Sequence, residues 1–88
     1  MNVEDRLKRL KFRSNHRGTR EADMMIGDFY EAYGAQWGEA EVSWFEEFLE
    51  EQDVDIMAWA LGTLPVPERW AGKLMTAFCR LDYLKLPA

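Results

Sequence analysis

Cysteine, histidine and long apolar stretches are the scarce features of this sequence. Among 88 residues there is one cysteine, Cys79, and one histidine, His16. A single cysteine cannot form a disulfide within the chain, and one cysteine with one histidine is too few for a structural zinc site. No apolar run reaches the roughly 20 residues of a membrane span. We therefore predict no metal site and no membrane insertion.

Signals for export and for catalysis are also missing. The N-terminus lacks the apolar segment of a signal peptide, and Glu4 and Asp5 are residues that a mitochondrial presequence avoids. We therefore expect a cytoplasmic protein. His16 is the one imidazole that could activate a nucleophile, and neither Ser14 nor Cys79 has an evident third partner. We predict no catalytic residues and a protein that is not an enzyme.

Positive charge is absent from the middle of the chain. Residues 21–68 hold thirteen acidic residues and no lysine or arginine, whereas residues 1–20 carry a net charge of +5 and residues 69–88 a net charge of +3. Because phosphate contacts need a broad basic surface, this acidic body argues against nucleic acid as the partner. The basic N-terminal arm could contact anionic lipid or RNA, but we favour its folding back onto the acidic body.

Hydrophobic residues make up 48% of the chain, enough for a single folded domain over residues 1–88. Asp53 is the predicted N-cap of a fourth helix, and Gly62 is predicted to end it. Pro67 suits the start of a fifth helix, which has Trp70 and Phe78 on its apolar stripe. The fourth helix is nearly all apolar, so we expect it to be wedged between other helices. The prediction is an all-α fold, a compact bundle of five short helices. The apolar spacing follows the helical repeat in five segments: residues 3–13, 19–33, 39–52, 53–62 and 67–84.

The densest charge pattern is Arg-Gly-Thr-Arg-Glu at residues 17–21, where the basic arm meets the acidic body. A helix pattern begins here, so Gly18 is the predicted N-cap and Glu21 the third helical residue, whose carboxylate can reach back to free N–H groups. Such a cap leaves Arg17 and Arg20 unexplained, because cations are unfavourable at a helix N-terminus. The pattern therefore indicates either a helix cap or a recognition site for something outside the chain.

Residues 17–21 resemble the RGxxE motif of the SdhE family, the FAD assembly factors of succinate dehydrogenase. Segments 22–29 and 48–59 are also similar to that family, and the similarity covers roughly residues 7–84. The resemblance implies a five-helix protein that binds the flavoprotein subunit of succinate dehydrogenase or fumarate reductase. It also implies that the protein promotes covalent attachment of FAD to a histidine of that subunit without forming the bond itself. FAD would then be the cofactor of the client, and the factor would hold none tightly.

The resemblance further implies which residues bind the partner. The motif supplies four of them, a frequent family acid supplies a fifth, and His16 stands where many members have arginine or lysine. Trp59 matches the family too, but we expect it in the core. We predict a monomer when free. The alternative is a small acidic adaptor or antitoxin with another target. The predicted partner-binding residues are His16, Arg17, Gly18, Arg20, Glu21 and Asp23.

Overall fold

The computed structural model describes residues 2–85, and over that range it contains five α-helices, two 3₁₀ turns and no strand. This confirms the predicted all-α fold. No helix within the described residues is long and apolar enough to span a bilayer. The helices are α1 Val3–Asn15, α2 Arg20–Tyr33, α3 Glu39–Phe48, α4 Asp53–Leu61 and α5 Lys73–Arg80. The 3₁₀ turns are Gly34–Gln36 and Glu68–Trp70.

An aromatic cluster joins the helices. The Phe29 ring of α2 lies 5.1 Å from the rings of both Phe78 and Tyr83, in edge-to-face geometry, and 6.0 Å from Phe45. Phe48 extends the cluster, with its ring 5.6 Å from Phe78. All four phenylalanines are fully buried. Because edge-to-face aromatic pairs add to the free energy of burial, these rings supply much of the packing of a small domain.

The basic arm folds back onto the acidic body, as predicted. Arg6 Nη2 lies 2.7 Å from Glu46 Oε1, and Arg13 forms an ion pair with Glu50. Both contacts join α1 to α3 or to the turn that follows it. The acidic C-terminal end of α3 is therefore partly neutralised by α1.

Two predicted helix ends are wrong for local reasons. The first helix, predicted over residues 3–13, continues through Asn15, and the chain leaves the helix at His16. The side chains of Ser14 and Asn15 bond back to the Lys11 carbonyl, at 3.2 and 2.8 Å, which lets these polar residues remain in the helix. In contrast, α3 ends at Phe48 rather than at residue 52, and residues 49–51 form turns.

The predicted fifth helix is divided. Pro67 starts a 3₁₀ turn, and Gly72, with φ +148°, separates it from α5. That backbone conformation is one that glycine adopts at low cost, so the chain breaks there and resumes as a helix at Lys73. Trp70 therefore lies on the 3₁₀ turn and not on α5. It is nonetheless buried, with 2% of its surface exposed, and Phe78 on α5 is fully buried.

The expectation for α4 is half right. Trp59 is in the core, as predicted, together with Ile56 and Ala60. The helix is not wedged between others, however, because the Val54 and Leu61 side chains on its other side are 69% and 58% exposed. Its N-cap is Gln52, and Asp53, the predicted cap, is the first helical residue.

Candidate functional site

The predicted partner-binding residues lie between the end of α1 and the first turn of α2. His16 directly precedes the turn between α1 and α2, and α2 begins at Arg20. The side chains differ in exposure, and the difference separates them into two groups. Arg17 and Asp23 are partly buried, whereas His16, Gly18, Arg20 and Glu21 are exposed.

Thr19 is the N-cap of α2. Its backbone is extended, at φ −136° and ψ 160°, and its hydroxyl oxygen accepts a hydrogen bond from the Ala22 N–H at 3.1 Å. The prediction that Gly18 caps the helix is therefore wrong: the Thr19 side chain accepts from a free N–H of the first helical turn, and glycine has no side chain that could do so. Glu21 is the second helical residue instead of the third. Within residues 2–85 its side chain accepts no hydrogen bond, although its charge suits the positive end of the helix dipole.

Asp53, at the start of α4, holds the turn from outside. One of its carboxylate oxygens lies 2.7 Å from Arg17 Nε, and the other accepts a hydrogen bond from the Gly18 N–H at 2.9 Å. Arg17 also donates from Nη2 to the Glu51 carbonyl at 3.3 Å. The Arg17 and Asp53 side chains are 12% and 22% exposed. The charge of Arg17, which the sequence left unexplained, is thus compensated inside the chain.

Asp23 holds the same turn from the side of α2. Its carboxylate accepts a hydrogen bond from the Arg17 N–H. Two consecutive backbone N–H groups, those of Arg17 and Gly18, are therefore each bound by a carboxylate, one from α2 and one from α4. Charge-assisted hydrogen bonds of this kind are stronger than neutral ones, so the turn has a defined conformation before any partner binds.

Gly18 is not required by the conformation of the free chain. The positive-φ glycines of the described residues are Gly62 and Gly72, and Gly18 is not among them. A Cβ atom added at Gly18 would lie 3.4 Å from Asp53 Oδ2, which is an ordinary van der Waals contact. Neither backbone strain nor crowding within the molecule explains a glycine here.

His16 follows the last residue of α1 and packs on Phe12, one helical turn earlier. Its Nδ1 lies 2.8 Å from the Phe12 carbonyl oxygen, which can only accept, so Nδ1 carries the proton in this contact. The imidazole also stacks on the Phe12 ring, with the ring centroids 4.0 Å apart. His16 is thereby held in one orientation at the edge of the turn.

Arg20 completes the exposed group. Its guanidinium forms no ion pair within residues 2–85, in contrast to Arg6, Arg13 and Arg17. A cation at the first position of a helix is unfavourable by the dipole argument. Among the two arginines of the motif, Arg20 is thus the one whose position the described contacts leave unexplained.

Asp53 is the residue of this site that sequence reasoning missed. The sequence showed an aspartate at a helix start, which suggested a cap, and the similarity of segment 48–59 to the family gave no particular role to it. Its contact with Arg17 spans 36 positions of sequence and is set by the packing of α4 beside the turn. The one feature of the sequence that pointed to a partner such as Asp53 was the charge of Arg17, which a helix cap left unexplained.

Other reactive groups give no catalytic arrangement within the described residues. Residues 2–85 contain no group of three or more histidine, cysteine, aspartate or glutamate side chains placed to hold a metal ion. Cys79 is partly buried, with Sγ 3.5 Å from the Trp59 carbonyl oxygen, and burial raises the pKa of this thiol. Because the thiolate is the reactive form, Cys79 is a poor nucleophile at neutral pH.

Comparison of the sequence with known proteins shows a family to which the chain is similar. The sequence model described as "Flavinator of succinate dehydrogenase" matches residues 8–82. The FAD assembly factor SdhE of Acetobacter pasteurianus is 42% identical over 74 residues, which cover 84% of this chain and 68% of that protein. Two relatives named succinate dehydrogenase assembly factor 2, mitochondrial, also match. The one from Mycosarcoma maydis is 34% identical over 74 residues, and the one from Schizosaccharomyces pombe is 30% identical over 78 residues.

Each of these two matches covers 84% of this chain. The chain spans 31% of the Mycosarcoma maydis protein and 56% of the Schizosaccharomyces pombe protein, so it corresponds to a part of each. The residues matched by the family model include residues 17–21, called the motif turn, and both carboxylates that bind it, those of Asp23 and Asp53. They also include the aromatic cluster except for Tyr83. The chain therefore belongs to the family of flavinators of succinate dehydrogenase.

Proposed function

We propose that this protein is an assembly factor that binds the flavoprotein subunit of succinate dehydrogenase or fumarate reductase. In this proposal it promotes covalent attachment of FAD to that subunit. Membership of the flavinator family supports the proposal, as does the name of the Acetobacter pasteurianus relative, FAD assembly factor SdhE. The preference for the flavoprotein subunit over other subunits comes from the resemblance of residues 17–21 to the RGxxE motif.

The observation that carries the proposal is that the residues of the motif turn, with Asp23, divide into two groups. One group fixes the backbone of the turn, and the other is exposed to solvent. Arg17 is bound by Asp53, and Asp23 binds the Arg17 N–H, so these residues fix the backbone. Arg20 and Glu21 then project charges of opposite sign beside the exposed backbone of Gly18. A rigid turn of this kind loses little conformational entropy on binding, which favours specific recognition.

The proposed mechanism is positioning. Glycine at position 18 lets a partner's backbone approach closely, Arg20 can pair with a carboxylate or a carbonyl oxygen, and Glu21 can accept from a partner donor. Binding would hold the client in a conformation in which its FAD and its histidine are aligned. Alignment of two reacting groups can supply a large part of a rate enhancement without any catalytic residue from the factor.

The remaining parts of the proposal follow from that role. The protein acts as a chaperone and not as an enzyme, and FAD is a cofactor of the client that the factor does not hold tightly. The protein acts as a monomer in the cytoplasm. Partner binding through all six predicted residues, including the supporting pair Arg17 and Asp23, likewise stays a prediction.

The experiment is complementation of a strain that lacks the gene. Covalent flavin on the flavoprotein subunit is read as fluorescence of the subunit on a denaturing gel. The parent gene should restore the signal, and Arg20→Ala should fail to restore it while keeping the parent's melting temperature. Arg80→Ala is the matched control, because Arg80 is also an exposed arginine on a helix but lies outside the motif. Full covalent flavin in the deletion strain would refute the proposal.

A further inference from the structure

The outer face of α4 carries an apolar stripe that the fold leaves uncovered. One side of α4 is buried in the core. On the other side Val54, Met57 and Leu61 recur at positions i, i+3 and i+7, and so share one helix face. Leu64 follows in the turn after the helix. These four residues are called the α4 stripe below.

Exposed apolar side chains are more frequent in the α4 stripe than elsewhere in the described residues. Val54, Leu61 and Leu64 are 69%, 58% and 47% exposed, whereas Met57 between them is half-buried and also packs against the core. Five large apolar residues are exposed among the residues that the structure describes, and three of them lie within this stretch of eleven positions. Single exposed apolar side chains are common in proteins, but a contiguous group marks a surface that another molecule covers.

The α4 stripe begins at the motif turn. Asp53, the first residue of α4, binds Arg17 and the Gly18 N–H through its carboxylate, and Val54 is the next residue along the helix. The same contact that fixes the turn therefore fixes α4 beside it. The stripe therefore starts one residue after a carboxylate that contacts the motif turn.

We infer that the α4 stripe is a docking surface for an apolar patch on the flavoprotein subunit, an inference that rests on the proposed function. Stable interfaces combine a desolvated apolar centre with a polar rim, and the stripe and the motif turn provide these two parts side by side. Four side chains offer far less than the roughly 800 Å² per partner of a stable dimer, so the stripe suits one part of a larger interface better than self-association.

A lipid surface fits the α4 stripe poorly. Surface binding to a cytoplasmic membrane is favoured by lysine and arginine beside the apolar residues, because the lipid headgroups are anionic. Residues 21–68 contain neither lysine nor arginine, and Asp53 and Asp55 flank the stripe. A neutral apolar protein surface is therefore the occupant that the charges favour.

The test is the affinity of the full chain for purified FAD-free flavoprotein subunit of the same organism. The double variant Val54→Gln with Leu61→Gln removes the apolar character, and glutamine is a good helix former, so the fold is kept. We expect its dissociation constant to rise by roughly ten-fold or more, with an unchanged melting temperature. The matched control is Val3→Gln, which changes an exposed valine at the distant end of α1, and its dissociation constant should stay within about two-fold of the parent's.

Gly18→Arg separates failure of this inference from failure of the proposed function. If Gly18→Arg loses binding while the double variant binds like the parent, the proposed function stands and the α4 stripe is not part of the interface. If Gly18→Arg and the double variant both bind like the parent, the motif interface and the stripe are both refuted. Sedimentation of the free chain provides the remaining check, since a parent dimer that the double variant abolishes would assign the stripe to a second copy and overturn the inference.

Discussion

The Arg17 guanidinium and the Asp53 carboxylate form an ion pair at 2.7 Å that joins the motif turn to α4. The pair is mostly shielded from water, and the same carboxylate also accepts the Gly18 N–H. An arginine that the sequence offers as a free recognition residue is thus already paired within the chain, and its contact with a partner stays a prediction. Arg20 and Glu21 beside it are exposed, and the variants below test a structural role and a partner-binding role separately.

The first prediction concerns the energy of this pair. A double-mutant cycle with Arg17→Ala and Asp53→Ala should give a coupling free energy of about 1–2 kcal/mol in urea unfolding, because the pair is charge-assisted and mostly buried. The cycle of Arg13→Ala with Glu50→Ala is the control. Glu50 is 76% exposed, and an exposed pair should couple by less than about 0.5 kcal/mol. Strictly additive effects at Arg17 and Asp53 would contradict the structural role.

A second prediction compares two glycines. Gly18→Ala should change the free energy of unfolding by less than about 0.5 kcal/mol, because the added Cβ meets only an ordinary contact. Gly27→Ala should cost about 1–3 kcal/mol, because its Cβ would clash with Asn15 Oδ1 and lie 3.3 Å from the Ser14 carbonyl oxygen, where α1 and α2 pack closely. Chemical denaturation measures both. A Gly18→Ala protein as unstable as Gly27→Ala would show that the free chain itself needs glycine at position 18.

The third prediction separates Thr19 from Glu21. Thr19→Ala removes the N-cap hydrogen bond and should cost about 1 kcal/mol of stability. Glu21→Ala removes an exposed side chain and should leave the melting temperature nearly unchanged, yet it should strongly reduce covalent flavin on the client. Normal flavinylation by a folded Glu21→Ala protein would remove this residue from the proposed interface.

A fourth prediction concerns acid stability through Glu46. Its hydrogen bond to Arg6 lowers the pKa of the carboxyl below its ordinary value of 4.5. The folded state therefore holds this proton more weakly than the unfolded state, so the contribution to stability is complete above pH 4.5 and is lost as the pH falls through the folded-state pKa. The parent should lose more stability than Glu46→Gln between pH 6 and pH 3, measured by urea unfolding at each pH.

Glu47→Gln is the control for the fourth prediction, because Glu47 is exposed and has no ion pair within residues 2–85. Its stability should follow the parent's over the whole pH range. Equal acid sensitivity of the parent and Glu46→Gln would mean that the pair with Arg6 contributes little in solution.

The fifth prediction concerns the core. Trp70→Ala and Phe78→Ala should each cost about 3–5 kcal/mol, because both side chains are almost completely buried. That is a large fraction of the stability of a domain of this size. Thermal melts followed by circular dichroism should show a much lower transition or an unfolded protein. Melting at the parent's temperature would place these side chains outside the core.

Helical spacing and composition by themselves determined the all-α fold and most of the core. Phe29, Phe45 and Phe78 recur on apolar faces, and burial of such a face is the dominant favourable term in folding, so its pattern can be read in one dimension. The segregation of charge also determined that the N-terminal arm returns to the acidic body. The RGxxE pattern was visible as five adjacent residues, and adjacency in sequence is enough to place them in one turn.

Only the tertiary structure decided what each residue of that turn does. Arg17 and Arg20 look alike in sequence, and they differ because Asp53, 36 positions after Arg17, lies beside one of them and not the other. The exposure of the α4 stripe was equally hidden, since an apolar helix can be covered on all sides or on one, and the sequence does not say which neighbours exist. Contacts between distant segments depend on how the helices pack together, and local periodicity carries no information about that packing.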